Sequence, residues 1–181
     1  KRWNGWGEEA VTYPLPTAAA RTIHDWIGAG TPCHDAALET VLAQVPAARL
    51  PAHRLVADDP LQRLRHARGQ SLPDWIALRS GQIGTFPDGV ALPQDAAQVR
   101  ELLDYAQQTG AQVIPYGGGT SVLGHINVLR DRPPVLTVDL SRLDQLKQLD
   151  TTSGLATFGA GVVGPHLESQ LHEHGYTLGH F

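Results

Sequence analysis

Pro115-Tyr116-Gly117-Gly118-Gly119-Thr120-Ser121-Val122-Leu123-Gly124 follows directly on a short apolar run, Gln112-Val113-Ile114-Pro115, that reads as a β-strand. Three successive glycines let the backbone take positive φ and come close to a ligand, so their N–H groups can converge on anionic oxygens as a nest. Thr120 and Ser121 add hydroxyl donors immediately behind them. Three glycines alone would equally make a flexible turn at a strand end; the strand before them and the hydroxyls after them favour the nest. The stretch is not a Walker loop, because no Gly-Lys-Ser/Thr follows and no lysine supplies a point charge for a γ-phosphate.

Upstream, Gly89-Val90-Ala91-Leu92 reads as a strand ending at Pro93, and Asp95 with Gln98 makes a capping box. Val99, Leu102, Leu103 and Ala106 form the buried stripe of the helix that follows, which Gly110 ends. Residues 89–116 are therefore a strand–helix–strand unit, expected to be parallel with a right-handed crossover. A nucleotide-sized site can be built at the carboxyl ends of such strands. Downstream, Val135 to Leu140 is a strand, and Ser141 caps a helical turn. Leu146–Leu149 and Leu155–Phe158 form an antiparallel hairpin around 150–154, and a helix runs from Pro165 to His174.

The first eighty residues read as short helices punctuated by Pro and Gly. One runs from Thr17 to Gly28 with Ile23, Trp26 and Ile27 on one side. A second is opened by Thr31-Pro32 and carries Leu38, Val41, Leu42 and Val45. A third starts at Asp59-Pro60 and is stopped by Gly69, and a fourth passes through Asp74–Leu78 to Gly81. The expected organisation is a helical segment, 1–81, followed by a mixed unit, 82–181. The fold class is α+β.

The chain has 181 residues, 41% of them hydrophobic and 18% charged, enough for a buried core and too apolar for a disordered tail. Fourteen basic against eighteen acidic residues leave a net charge of −4, which excludes the broad positive field of a nucleic-acid binder. No run approaches the roughly 20 apolar residues of a transmembrane segment. A lone Cys33 and the lack of a secretory leader suggest a cytoplasmic setting, with Cys33 a small apolar filler. The absence of Met and the stop at Leu178-Gly179-His180-Phe181 suggest a piece of a longer protein.

Other motifs are weaker. Gly159-Ala160-Gly161-Val162-Val163-Gly164 spells a dinucleotide fingerprint, which would suggest an NAD-binding Rossmann domain. Its preceding strand, however, is the second arm of a tight hairpin, so a strand-to-helix corner with Pro165 at the first helical position is preferred. His172 and His174 lie two apart on a helix and point to different sides, as surface residues do, unlike an i, i+4 zinc pair. No metal site is expected. Trp3, Trp6, Trp26 and Trp75 are expected as packing anchors. A non-enzymatic domain, with the glycines as turns and the helical third as a docking arm, is the alternative from another class.

Phe86-Pro87-Asp88-Gly89-Val90, Ile114 to Val122, Val138-Asp139-Leu140-Ser141-Arg142-Leu143, and Gly159-Ala160-Gly161 through Gly175-Tyr176-Thr177-Leu178-Gly179-His180 occur in an order that resembles FAD-linked oxidases of the vanillyl-alcohol-oxidase type. Lys1 to Gly7, Gly69-Gln70-Ser71-Leu72 and Leu78-Arg79-Ser80-Gly81 look most like the alkyldihydroxyacetonephosphate-synthase branch. The resemblance implies the N-terminal part of a PCMH-type FAD-binding domain with two mixed α/β lobes, the rest of the domain and a substrate cap lying outside this chain.

The resemblance also implies a binding set. Gly117, Gly118, Gly119, Thr120 and Ser121 would hold the FAD pyrophosphate, Pro115, Tyr116 and Val122 would line the cofactor, and Gly179 and His180 would lie near the flavin. Gly161 and Gly164 would be a structural corner. Relatives with covalent flavin carry a His where Thr120 stands here, so FAD is expected to be non-covalent. His125 departs from the small residue often found after the loop. The implied substrate is a small molecule: a glycerone-phosphate ester whose acyl group is exchanged for a fatty alcohol without net redox change, or alternatively a D-2-hydroxy acid that gives up a hydride. No catalytic residue is assigned within the chain, and a homodimer is compatible with the resemblance.

Overall fold

The computed structural model describes residues 2–31 and 34–180, so Cys33 lies outside the described residues. In chain order the elements are α1 (Thr17–Ile27), α2 (Leu38–Leu42), β1 (Val56–Ala57), α3 (Pro60–Arg65), α4 (Leu72–Ser80), β2 (Gly89–Ala91), α5 (Ala96–Thr109), β3 (Gln112–Tyr116), β4 (Val135–Asp139), β5 (Leu146–Asp150), β6 (Leu155–Phe158) and α6 (Gly164–His172). Helices form in the expected regions, and α3, α4 and α5 carry side-chain caps, although Gln98 accepts from the Gln94 N–H and so leaves the expected Asp95–Gln98 box one-sided. Asp59 accepts from the Gln62 N–H at 2.8 Å to start α3, and Ser71 and Asp74 cap α4 reciprocally.

Two expectations about the helical segment are corrected. The helix opened by Thr31 begins only at Leu38, because tertiary contacts hold the preceding stretch: the Ala36 N–H donates to the Arg79 carbonyl at 2.8 Å and Arg79 Nε pairs with Asp35 at 2.6 Å. Gly69 does not stop α3, which ends at Arg65 with His66 as its C-cap. Of the four tryptophans only Trp3 is buried, whereas Trp6, Trp26 and Trp75 are exposed. Helix α1, which carries Trp26, has no buried residue at all.

The main sheet has the order β1-β2-β4-β3. Strand β4 runs parallel to both β2 and β3, and β1 pairs antiparallel with β2. The strand–helix–strand unit is thus parallel as expected, with β4 inserted between its two strands. All five residues of β4 are buried, as befits a central strand covered on both faces. One core gathers Trp3, Val41, Leu64, Ala67, Leu78, Ile83 and Phe86 between the helices of the first segment. The other packs Leu102, Tyr105 and Ala106 of α5 on Ala91, Leu136 and Val138 of the sheet. Leu103, expected in that stripe, faces solvent. Tyr105 takes its place, its ring against His53 at 4.6 Å and its hydroxyl donating to the Pro51 carbonyl at 2.6 Å.

A single carboxylate staples the amino end of the parallel strands. Buried Asp88 accepts from the Arg49 main chain, from two nitrogens of the Arg49 guanidinium at 2.8 Å each, and from the Val135 N–H at 2.8 Å. Burial alone would push this carboxyl up, but the Arg49 side chain and the Val135 and Arg49 main-chain N–H groups outweigh it and hold Asp88 below the usual carboxylate range. A carboxyl lowered in the fold stabilises above its unfolded value and ceases to do so as pH falls through its folded value. The melting temperature should therefore drop on acidification below about pH 4. In Asp88→Asn the neutral amide should cost on the order of 1–3 kcal/mol at pH 7 and flatten that acid limb, as thermal melts across pH would register.

The hairpin β5–β6 is antiparallel and turns at Gly154, whose φ is +66°. It leads to the corner at 159–164. A Cβ on Gly159 would sit 2.0 Å from the Leu143 carbonyl oxygen, and one on Gly161 only 1.7 Å from that of Leu140. These glycines therefore serve close backbone packing against the segment after β4, as a corner requires.

Candidate functional site

The glycine-rich loop leaves β3 at its carboxyl end, beside the end of β4. Tyr116 pairs with Asp139 in the ladder, and the Leu140 N–H donates to the Tyr116 carbonyl at 2.9 Å. The Tyr116 ring is buried, packs on His66 with ring centroids 4.5 Å apart, and points its hydroxyl at the Arg65 carbonyl. Burial, with the nearby Asp139 charge, pushes the Tyr116 phenol far above its ordinary value. Its side chain is therefore neutral and its part in the site is to fix the backbone where the loop begins.

Beneath that point lies a buried polar pair. His66 Nδ1 meets the Gln62 carbonyl at 2.7 Å, and Nε2 meets Asp139 Oδ2 at 2.9 Å. The Gln62 carbonyl can only accept, so Nδ1 carries an N–H, and Nε2 shares a hydrogen bond with the Asp139 carboxyl group. Burial raises the Asp139 carboxyl, but the His66 hydrogen bond and those from Ser141 prevail and hold it low. This pair joins α3 to the end of β4, 73 residues away in sequence.

Past Tyr116 the backbone is bare. The N–H groups of Gly117, Gly118, Gly119, Thr120 and Ser121 find no acceptor among the described residues. A Cβ at Gly117 would meet nothing within 4 Å, and one at Gly118 only the Thr120 methyl at 3.5 Å. Unlike Gly159 and Gly161, these two glycines are not required by the protein's own packing. Gly119 has φ +73°, a left-handed step that turns the chain. Five consecutive unbonded donors without a side chain to cover the first three form the arrangement that receives an anion's oxygens.

Gly118 opens into a cleft of about 290 Å³ that is also lined by Gly5, Trp6, Gly7, Glu8 and Gln70. Larger clefts, of about 370 Å³ beside Arg49 and Arg130, about 460 Å³ between α5 and residues 142–147 and about 390 Å³ between His53 and α5, touch none of residues 115–122. Pro115, Thr120 and Val122 are exposed along the loop, and His125 also faces outward, its N–H donating to Ser121 Oγ at 3.2 Å. Gly179 and His180 lie exposed beyond α6 on a strand of loop tethered by Glu168 to Thr177 and Leu178. They make no hydrogen bond or ion pair with residues 115–122 among the described residues. His172 and His174 are exposed as well, and no group of three or more candidate metal ligands occurs among the described residues. No helix there is long and apolar enough to cross a membrane.

Sequence reasoning missed three contributors: His66, Asp139 and the Gly69–Gln70 backbone, whose N–H at Gln70 donates to the Ser121 carbonyl at 2.7 Å. Only Gly69 carried a local signal, a glycine just past a helix end, and in the structure it takes no left-handed φ.

Residues 87–181 match the family model described as an FAD binding domain. The alkyldihydroxyacetonephosphate synthase of Dictyostelium discoideum is 35% identical over 123 residues, covering 68% of this chain and 20% of that protein. That of Trypanosoma brucei brucei is 36% identical over 124 residues, with 67% and 20% covered. The chain thus spans about a fifth of the length of these relatives. A solved alkyldihydroxyacetonephosphate synthase superposes with a TM-score of 0.80 at 24% identity over 99% of this chain and 40% of that one, which shows the shared fold.

Proposed function

The chain belongs to the FAD binding domain family, and from that premise we propose that it is the N-terminal part of the flavin-binding unit of an enzyme resembling alkyldihydroxyacetonephosphate synthase. The observation that carries this reading is the row of unbonded N–H groups at 117–121, over bare glycine, at the carboxyl end of parallel strands. The donor set fits a pyrophosphate: it is made of neutral main-chain N–H groups, tolerant of two linked anionic phosphates and free of competing side chains.

In this reading Gly117, Gly118, Gly119, Thr120 and Ser121 hold the pyrophosphate of FAD, with exposed Val122 offering apolar surface beside it. Pro115 and Tyr116 set the entry angle, and Gly179 and His180 approach the flavin from the second lobe. Thr120 presents a hydroxyl and no ring nitrogen, so the flavin is held non-covalently. When bound, FAD supplies the electrophilic ring system at which a substrate carbon reacts, and the protein supplies placement and electrostatics. The His66–Asp139 pair ties α3 to the end of β4 below the loop, and the cleft at Gly118, flanked by Trp6 and Gln70, gives the ligand room beside the N–H groups.

The synthase-like substrate class, a glycerone-phosphate ester, is favoured over a D-2-hydroxy acid. The likeness to the synthase of Dictyostelium discoideum covers 68% of this chain at 35% identity, against 58% at 28% for a probable D-2-hydroxyglutarate dehydrogenase of Oryza sativa subsp. indica. Full-length protein is expected to exchange the acyl group of an acyl dihydroxyacetone phosphate for a fatty alcohol and to leave its flavin unbleached by a panel of D-2-hydroxy acids. Anaerobic bleaching by a hydroxy acid, with no turnover of the ester, would replace this reading with the dehydrogenase.

A further inference from the structure

We propose that Gly69, Gln70, Asp74 and Asn127 form a bracket that positions the glycine-rich loop, so that a segment outside the 87–181 match sets the affinity for the flavin. This rests on the reading of 117–121 as a pyrophosphate cradle. Two consecutive main-chain donors reach across: the Gly69 N–H donates to Asn127 Oδ1 at 3.0 Å and the Gln70 N–H to the Ser121 carbonyl at 2.7 Å. Asn127 in turn donates its amide to Asp74 Oδ1 at 2.7 Å. Asp74, 3% exposed, accepts the Ser71 hydroxyl at 2.6 Å on its other oxygen. Both side-chain polar atoms of Asn127 and both oxygens of Asp74 have partners in this relay, so its geometry is fixed by more than one contact.

Gly69 is glycine because of proximity. A Cβ there would lie 2.2 Å from the Ser121 carbonyl oxygen and 3.3 Å from Asp74 Oδ2, while its φ is not left-handed. The five-residue cradle is consequently pinned at both ends, at Tyr116 by the sheet and at Ser121 by Gln70, while its own N–H groups find no acceptor among the described residues. A cradle fixed before the ligand arrives loses less freedom on binding, which is where the bracket acts.

The test uses full-length apoprotein titrated with FAD, following quenching of flavin fluorescence. Gly69→Ala and Asn127→Ala should each weaken the Kd roughly tenfold or more, the equivalent of one lost buried hydrogen bond. Asp88→Asn, at the opposite end of the strands, should lower the melting temperature with an unchanged Kd, which separates positioning from general stability. A wild-type Kd in both bracket variants, with Gly118→Val still unable to hold flavin, overturns the bracket and leaves the cradle standing. A wild-type Kd in Gly118→Val overturns the cradle itself. Should Gly69→Ala fail to fold, the half-buried Asn127 carries the decision alone.

Discussion

Full-length protein carrying Gly118→Val is expected to purify folded and colourless. A Cβ at this position has only the Thr120 methyl nearby, at an ordinary contact distance of 3.5 Å, so the branched side chain has room in the fold. Gly118 lines the cleft at the loop, so the same side chain fills the approach to the unbonded N–H groups. Hydrogen bonds to a charged acceptor are worth about 1.5–3 kcal/mol each, so losing two of them weakens FAD binding by roughly a hundredfold or more. Absorbance between the protein and flavin bands, with a thermal melt on the same sample, reads both halves of the prediction. Full flavin occupancy in a folded variant would mean that the loop is an ordinary turn.

Gly161→Ala should do the reverse, damaging the fold directly. Its Cβ would stand 1.7 Å from the Leu140 carbonyl oxygen and 2.8 Å from the Ser141 Cα, both main-chain atoms that cannot swing aside. Relief requires the corner to part from the segment joining β4 to β5, which carries the turn after Asp139. Overpacking of this kind costs roughly 1–3 kcal/mol or more. The expected result is a large drop in melting temperature or insoluble protein, with any flavin loss following from unfolding. A stable Gly161→Ala protein that has lost only its nucleotide would revive the dinucleotide-fingerprint reading of 159–164.

The contrast between these two glycines shows where the chain could be read directly. Strands β2, β3 and β4, helix α5 and the β5–β6 hairpin follow from runs of apolar residues ended by Pro and Gly, signals that are complete within ten or fifteen neighbours. The glycine loop was legible for the same reason. What was hidden depends on distant partners. Strand β1, two residues long, exists because β2 offers it an edge. His66 looks like a helix-end residue until Asp139 is brought beside it, and Gly69 looks like a helix stop until Ser121 lies against it. Tyr105 displaces Leu103 from the buried stripe because the Pro51 carbonyl satisfies its hydroxyl, a partner no periodicity could announce. The start of α2 was overestimated because Arg79 holds residues 35 and 36 in place.

Hydrogen exchange on the full-length apoprotein, with and without FAD, tests the central claim at the atoms it concerns. The amides of 117–121, which have no acceptor among the described residues, should exchange fast without ligand and become strongly protected when FAD is added, while those of 159–164 stay unchanged. Unaltered exchange at 117–121 together with new protection at 159–164 would contradict it.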